Sequence, residues 1–286
     1  MDLNAILGSN LGNENNLNQA VQSNQANINP SSLVNSPIPD GKKSILAEEP
    51  KTPRDKYKFV KGRENWKEYL DLPVTTDKNR KLKDIIYQVS KDTGIKPDVL
   101  FASVMEEGLQ TKRKGNKITF EKDDKGEYID SYNAIGLDNV SVELDKLADE
   151  GYLKKDVSYQ PFKRKNELNQ NVNPAFFDTL EDALYAKAAY LNKNRDVVKN
   201  YAAQNKLNLG DDAIDFLSMQ TYNAGAGILP KAIDKYRRQG ILDKDSFLEK
   251  EPVGGYEQNP SYYNTRRRYD SIRYLRDLGT FSDFKK

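Results

Sequence analysis

A carboxylate at the end of an apolar helical stripe is the first place in this sequence where acid–base chemistry can be read. In Ile95–Gln110, IKPDVLFASVMEEGLQ, residues Leu100, Val104 and Glu107 fall at i, i+4 and i+7 and share one helical face. Pro97 suits the first turn of a helix, Asp98 favours the positive end of its dipole, and Gly108 ends the run. Val99, Ser103 and Glu106 follow a neighbouring, more polar side. The pattern therefore expects Glu106 to face water and Glu107 to sit against apolar walls. A carboxyl in such a place has its charged form disfavoured and becomes a proton donor near neutral pH. A Glu in a last helical turn is otherwise an ordinary solvated residue.

Two further stretches hold polar groups beside glycines. Ser131–Leu137, SYNAIGL, carries Ala134 and then Gly136, a residue that lets backbone approach a ligand closely, and is followed by Asp138 and Asn139. MQTYNAGAGILPKAI places Tyr222 and Asn223 at the end of a helical run, one ring and one short amide before Gly225 and Gly227. Taken alone, Asn and Gly there read as a helix C-cap.

In this order the three segments resemble those of soluble lytic transglycosylases and goose-type lysozymes. Pro97, Ala102 and Glu107 reproduce the spacing of that family's catalytic helix. Gly108 follows Glu107 directly, where the family has Ser or Thr and then Gly. A frame shifted by one would make Glu106 the acid but breaks the spacing from Pro97, so the resemblance assigns Glu107. SYNAIGL is similar to the family's Gly-Ala-Met-Gly-Leu-Met-Gln segment, with Asp138 in place of Met and Asn139 in place of Gln. Tyr222, Asn223, Ala224 and Gly225 match the last four positions of the Ala-Tyr-Asn-Ala-Gly signature, and Thr221 replaces its leading Ala. Asn264, Thr265 and Tyr269 echo a Glu-Thr…Tyr segment of the cleft wall with one extra residue.

The resemblance covers Gly94 to Gly227. It implies a lysozyme-like fold and cleavage of the MurNAc-β-1,4-GlcNAc bond of peptidoglycan, with Glu107 catalytic and Tyr222 orienting it. It gives Asn139, Asn223, Gly136 and Ala134 to the glycan, and requires neither metal nor cofactor. With one Glu the expected product is a 1,6-anhydro sugar. If Asp138 acts as a second carboxylate, the outcome is hydrolysis. A lysozyme-like module without activity, structural or wall-binding, remains the alternative.

Composition narrows the chemistry independently. The 286 residues contain neither Cys nor His, which excludes disulfides, thiolate or imidazole metal sites and Ser-His-Asp triads. Basic and acidic residues number 45 and 43, so no global field points to DNA or RNA. The Tyr- and Arg-rich run Ser261–Leu278 is accordingly read as a core-packing helix with a charged back, and no nucleic-acid partner is expected. No run of about 18 apolar residues is present to span a membrane. MDLNAILGSN lacks the basic start and apolar centre of a Sec signal. A wall-directed protein of this kind would act in a virion or at an extracellular or periplasmic target.

The elements that must position these groups are mostly helical. Residues 1–41 are rich in Asn, Gln and Ser and almost uncharged, and read as a disordered tail able to dock on a virion or other structural protein. Residues 42–69 form a charged arm packing on the domain, and residues 70–286 the domain itself. Helices are expected from Leu82 to Gly94 with Asp77 or Asn79 as cap, and over Val142–Leu153, Asp178–Asn205, Leu229–Arg238, Asp243–Lys250 and Ser261–Leu278. Lys117–Phe120 and Glu127–Ile129 suggest a β-hairpin beside a cleft, or equally an exposed loop, and Asp156–Pro174 reads as irregular. The expected class is mainly α, an α+β lysozyme-like fold.

Overall fold

Helices account for most of the architecture, and several of them end at glycines of the sequence. The computed structural model describes residues 62–120, 140–153, 156–161, 164–165, 171–172, 175–238 and 260–285, all within the unit Thr52–Lys286. The tail 1–41, the SYNAIGL segment, Glu127–Ile129 and Asp243–Lys250 lie outside them. The fold is mainly α.

Helix α1 (Trp66–Tyr69) buries Trp66 edge-on against Phe101, with ring centroids 6.3 Å apart. Strands β1 (Pro73–Val74) and β2 (Arg80–Lys81) pair antiparallel and lead into helix α2 (Leu82–Thr93), which Gly94 ends at φ 74°. Leu82, Ile85, Ile86 and Val89 of α2 are fully buried. Its N-cap is Lys81, without a side-chain hydrogen bond, so the expected cap is corrected. Asn79 takes a left-handed turn conformation instead. Asp77 turns away to a helix about a hundred residues later. It accepts the backbone N–H groups of Leu180 and Glu181, each at 3.0 Å.

Helix α3 (Pro97–Glu106) has Pro97 in its first turn, Glu107 as C-cap and Gly108 at φ 115°. Its stripe is wider than the sequence suggested. Val99 and Ser103, read as the more polar side, are buried along with Leu100 and Val104, because neighbouring helices cover α3 on several sides. Next, β3 (Arg113–Lys114) and β4 (Lys117–Ile118) form a tight hairpin, with Gly115 at φ 59° in the turn. Strand β4 also runs parallel to β1 through Val74 and Ile118, giving the order β2-β1-β4-β3. The hairpin at Lys117 thus looks back to Arg113; its expected partner, 127–129, is outside the described residues.

Helix α4 (Val140–Asp149) stops before Gly151. The stretch read as irregular contains strands: β5 (Tyr159–Pro161) with β8 (Ala175–Phe177), and β6 (Arg164–Lys165) with β7 (Asn171–Val172). They are short, and their sequence has no alternating apolar pattern. In the pair β5 and β8, Ala175 and Phe177 are the buried positions, too short a run for local periodicity to mark.

Helix α5 (Leu180–Gln204) is N-capped by Thr179, whose Oγ1 accepts the Asp182 N–H at 3.1 Å. It packs on α2 and on α6 (Asp211–Ala224) through small residues such as Ala183, Ala186 and Ala189. Helix α7 (Ile228–Arg238) follows α6, and α8 (Pro260–Asp277) packs across α6 and α3. Tyr269 of α8 is fully buried, edge-on to Phe216 at 5.6 Å. Among the described residues no helix is long and apolar enough to cross a membrane.

Candidate active site

The end of α3 meets α5, α6 and α8 at one point, and each contributes a polar side chain. Glu107 arrives because Gly108 breaks the helix directly after it. Tyr222 arrives near the end of α6, just before Gly225 caps it at φ 77°. Lys187 lies in the middle of α5, and Arg268 on the buried face of α8.

The walls around Glu107 are not apolar, which corrects the expected environment. Arg268 Nη2 donates to Glu107 Oε1 in a short ion pair. Lys187 Nζ stands 3.7 Å from the same oxygen. Lys187 is fully buried, and its Nζ donates to Tyr222 Oη at 2.6 Å while lying 4.1 Å from that ring's centroid. The Arg268 guanidinium lies 5.3 Å over the same ring. Tyr190 closes the far side, edge-on to Tyr222 at 5.2 Å.

These contacts set the proton affinities. Burial above all lowers the Lys187 ammonium, the Glu107 charge opposes it and the Arg268 charge adds to it, and together they bring it to about 7. Burial, and then the Glu107 charge, raise the Tyr222 phenol well above its ordinary value, with Arg268 opposing. Tyr190 is raised mainly by burial.

Glu106 is also displaced from its expected role. Its side chain is 4% exposed against 15% for Glu107, so it is the drier of the two carboxylates. Arg63 Nε donates to Glu106 at 2.6 Å, Ser271 Oγ donates at 3.0 Å, and Arg267 Nε forms an ion pair at 3.0 Å. The physical reason is α8, whose arginines cover the side of α3 that the sequence left facing water.

Asn223 lies beside Tyr222 and donates through Nδ2 to Thr265 Oγ1 at 3.2 Å. It thereby ties the Tyr-Asn segment to the start of α8, where Thr265 had been singled out. Ala134, Gly136, Asp138 and Asn139 lie outside the described residues.

Sequence reasoning missed Lys187 and Arg268 as members of this cluster, although a signal was present. Lys187 follows Ala183 by four residues and precedes Leu191 by four, a lysine on an apolar stripe. Arg268 sits likewise between Thr265 and Ile272 on the buried face of α8.

A cavity of about 500 Å³ lies away from this cluster, at the opposite end of α3, among Ile95, Pro97, Leu275, Arg276, Phe281 and Phe284. Its lining does not include Glu107. Among the described residues no group of three or more acidic side chains is placed to hold a metal ion. No family model matches the chain, and no curated protein or solved structure matches it.

Proposed function

We propose that the chain is a peptidoglycan-cleaving glycosidase of lysozyme-like type, acting on the MurNAc-β-1,4-GlcNAc bond by a lytic transglycosylase mechanism with Glu107 as its acid. The observation that carries this reading is the convergence of Glu107 and Tyr222 on Lys187. Two motifs about 115 residues apart, each weak alone, contribute to one polar cluster.

In this reading protonated Glu107 gives its proton to the glycosidic oxygen while the muramic C1–O bond breaks and positive charge develops on the ring. The resulting carboxylate then takes the proton of the muramic 6-hydroxyl, whose oxygen bonds to C1 and closes the 1,6-anhydro ring. Tyr222 orients Glu107 through Lys187. Asn223, held by Thr265, keeps its carbonyl oxygen for a sugar hydroxyl or amide. If Asp138 stands across the glycan, a water replaces the 6-hydroxyl and the reaction is hydrolysis. The substrate partners are glycan strands, and delivery in a virion, with the Asn-rich tail docked on a structural protein, fits the sequence.

One observation favours a second reading. Glu107 is engaged by both Arg268 and Lys187, the arrangement of a structural ion cluster, as in a lysozyme-like module that binds the wall or builds a particle without cleaving. Digestion of purified peptidoglycan, with products read by mass spectrometry, separates the two. Anhydro products from wild type that vanish in Glu107→Gln support the transglycosylase. Reducing ends that vanish with it move the reaction to hydrolysis. No cleavage by folded wild type across several wall types gives the structural module.

A further inference from the structure

A carboxylate lying between two cations is a poor resting state for a group that must donate a proton, and the same cluster contains a remedy. Lys187 Nζ stands between both partners that matter: it forms an ion pair with Glu107 Oε1 at 3.7 Å and donates a hydrogen bond to Tyr222 Oη at 2.6 Å. Its side chain is fully buried on α5. Around it stand Glu107 from the end of α3, Tyr222 from α6 and Arg268 from α8, and the ring of Tyr190, on the same helix as Lys187, packs on Tyr222.

We propose that Lys187 stores, between turnovers, the proton that Glu107 delivers to the glycosidic oxygen, an inference that rests on the glycosidase reading above. The step balances without any other reactant. As Nζ swings from its 3.7 Å ion-pair distance into hydrogen-bond reach of Oε1, one N–H bond of the Lys187 ammonium breaks, its electron pair stays on Nζ as a neutral amine, and the proton forms an O–H bond on Glu107. The site's net charge is unchanged, since a carboxylate and an ammonium become a carboxylic acid and an amine. When the muramic 6-hydroxyl later returns a proton to Glu107, the reverse transfer recharges Lys187. Lys187 is thus a positioning residue that acts through Glu107, whereas Arg268 cannot serve because a guanidinium keeps its proton. In a dry site the ionic and neutral pairs come close in energy, because burial penalises both charges. The lowering of Lys187 to about 7 accords with this.

The test begins with a measurement that needs no activity. In the full chain labelled with 15N-lysine, the Lys187 Nζ signal, assigned by its absence in Lys187→Met, is followed against pH. It is expected to titrate near neutrality, and lower still in Glu107→Gln, where the charge that favours the ammonium is gone. Titration close to the ordinary 10.5, or indifference to Glu107→Gln, overturns the inference. The second arm is kinetic, on peptidoglycan. Lys187→Met is expected to lose about 100-fold in kcat with little change in KM. Lys187→Arg, which keeps the charge but not the transferable proton, is expected not to rescue it; an active Lys187→Arg overturns the inference while leaving the glycosidase reading intact. No cleavage by wild type removes that reading and this inference with it, a failure distinguished from the others by the titration. If Lys187→Met does not fold, Lys187→Arg, which lacks the same lysine signal, supplies the assignment and the Glu107→Gln titration still decides.

Discussion

Glu106 and Arg267 face each other at 3.0 Å, directly beside the pair formed by Glu107 and Arg268. Two consecutive carboxylates at the end of α3 thus meet two consecutive arginines of α8, yet the pairs differ in kind. Glu106 is further held by Arg63 and Ser271 and is nearly dry, whereas Glu107 joins the Tyr222 cluster. Glu106→Gln is therefore expected to destabilise the fold. Breaking a buried pair costs about 3–5 kcal/mol, and the partial exposure of Arg267 brings this to about 2–3 kcal/mol. Urea unfolding followed by the fluorescence of Trp66, the single tryptophan, measures it. A Glu106→Gln of wild-type stability that has lost cleavage would instead make Glu106 the acid.

Asp77 is expected to matter for a helix it precedes by about a hundred residues. Its two oxygens accept the first N–H groups of α5, and its charge lies at the positive end of that helix. Asp77→Ala should cost about 2 kcal/mol, or roughly 4–8 °C in Tm. Asp77→Asn, which keeps one acceptor, should cost about half as much. Thermal unfolding by circular dichroism reads both, and equal losses would show that the charge rather than the hydrogen bonds is responsible.

What could be read in advance divides along physical lines. Helices α2, α4, α5 and α8 were legible, as were the stops of α2 and α4 at Gly94 and Gly151, because burial and left-handed glycines are local signals. The cap Asp77 was visible as a capping type, but its partner was not, since a cap reaches whichever N–H groups the tertiary fold brings near. Glu107 and Tyr222 were legible as residues that belong together. Their surroundings were not, because Lys187 and Arg268 approach from other helices and a single-helix stripe shows only its own face. For the same reason the water exposure of Glu106 was misread.

Lys187 also leaves a mark on stability against pH. Its folded pKa of about 7 lies below the unfolded 10.5, so between these values the unfolded chain binds more protons. Stability from this group therefore rises with pH across that window, and the full penalty for its buried charge is present below pH 7. Lys187→Met removes the penalty. Relative to wild type it is expected to be more favourable at pH 6 than at pH 10, the difference being on the order of 4 kcal/mol. Chemical denaturation of both proteins at the two pH values checks the sign, and a difference independent of pH would contradict it.

At the other end of α3 the ion network is expected to be structural only. Asp215, with its side chain 1% exposed, pairs with Arg195, with Lys96 at 3.2 Å and with Arg276 at 3.8 Å. Arg276 retains Asp98 and Asp212, and Lys96 is about a third exposed, so neither is stranded when Asp215 is neutralised. Arg195 depends on Asp215 and is mostly buried. Asp215→Asn should therefore cost about 2–4 kcal/mol, most of it from the uncompensated Arg195. Adding Arg195→Met to Asp215→Asn should recover part of that loss, so the double variant will be more stable than the two single effects predict. Adding Lys96→Met should recover little. Per folded molecule, cleavage by Asp215→Asn should match wild type, because Glu107 and its partners lie at the far end of the helix. A loss of cleavage without a loss of stability would tie this network to the site after all.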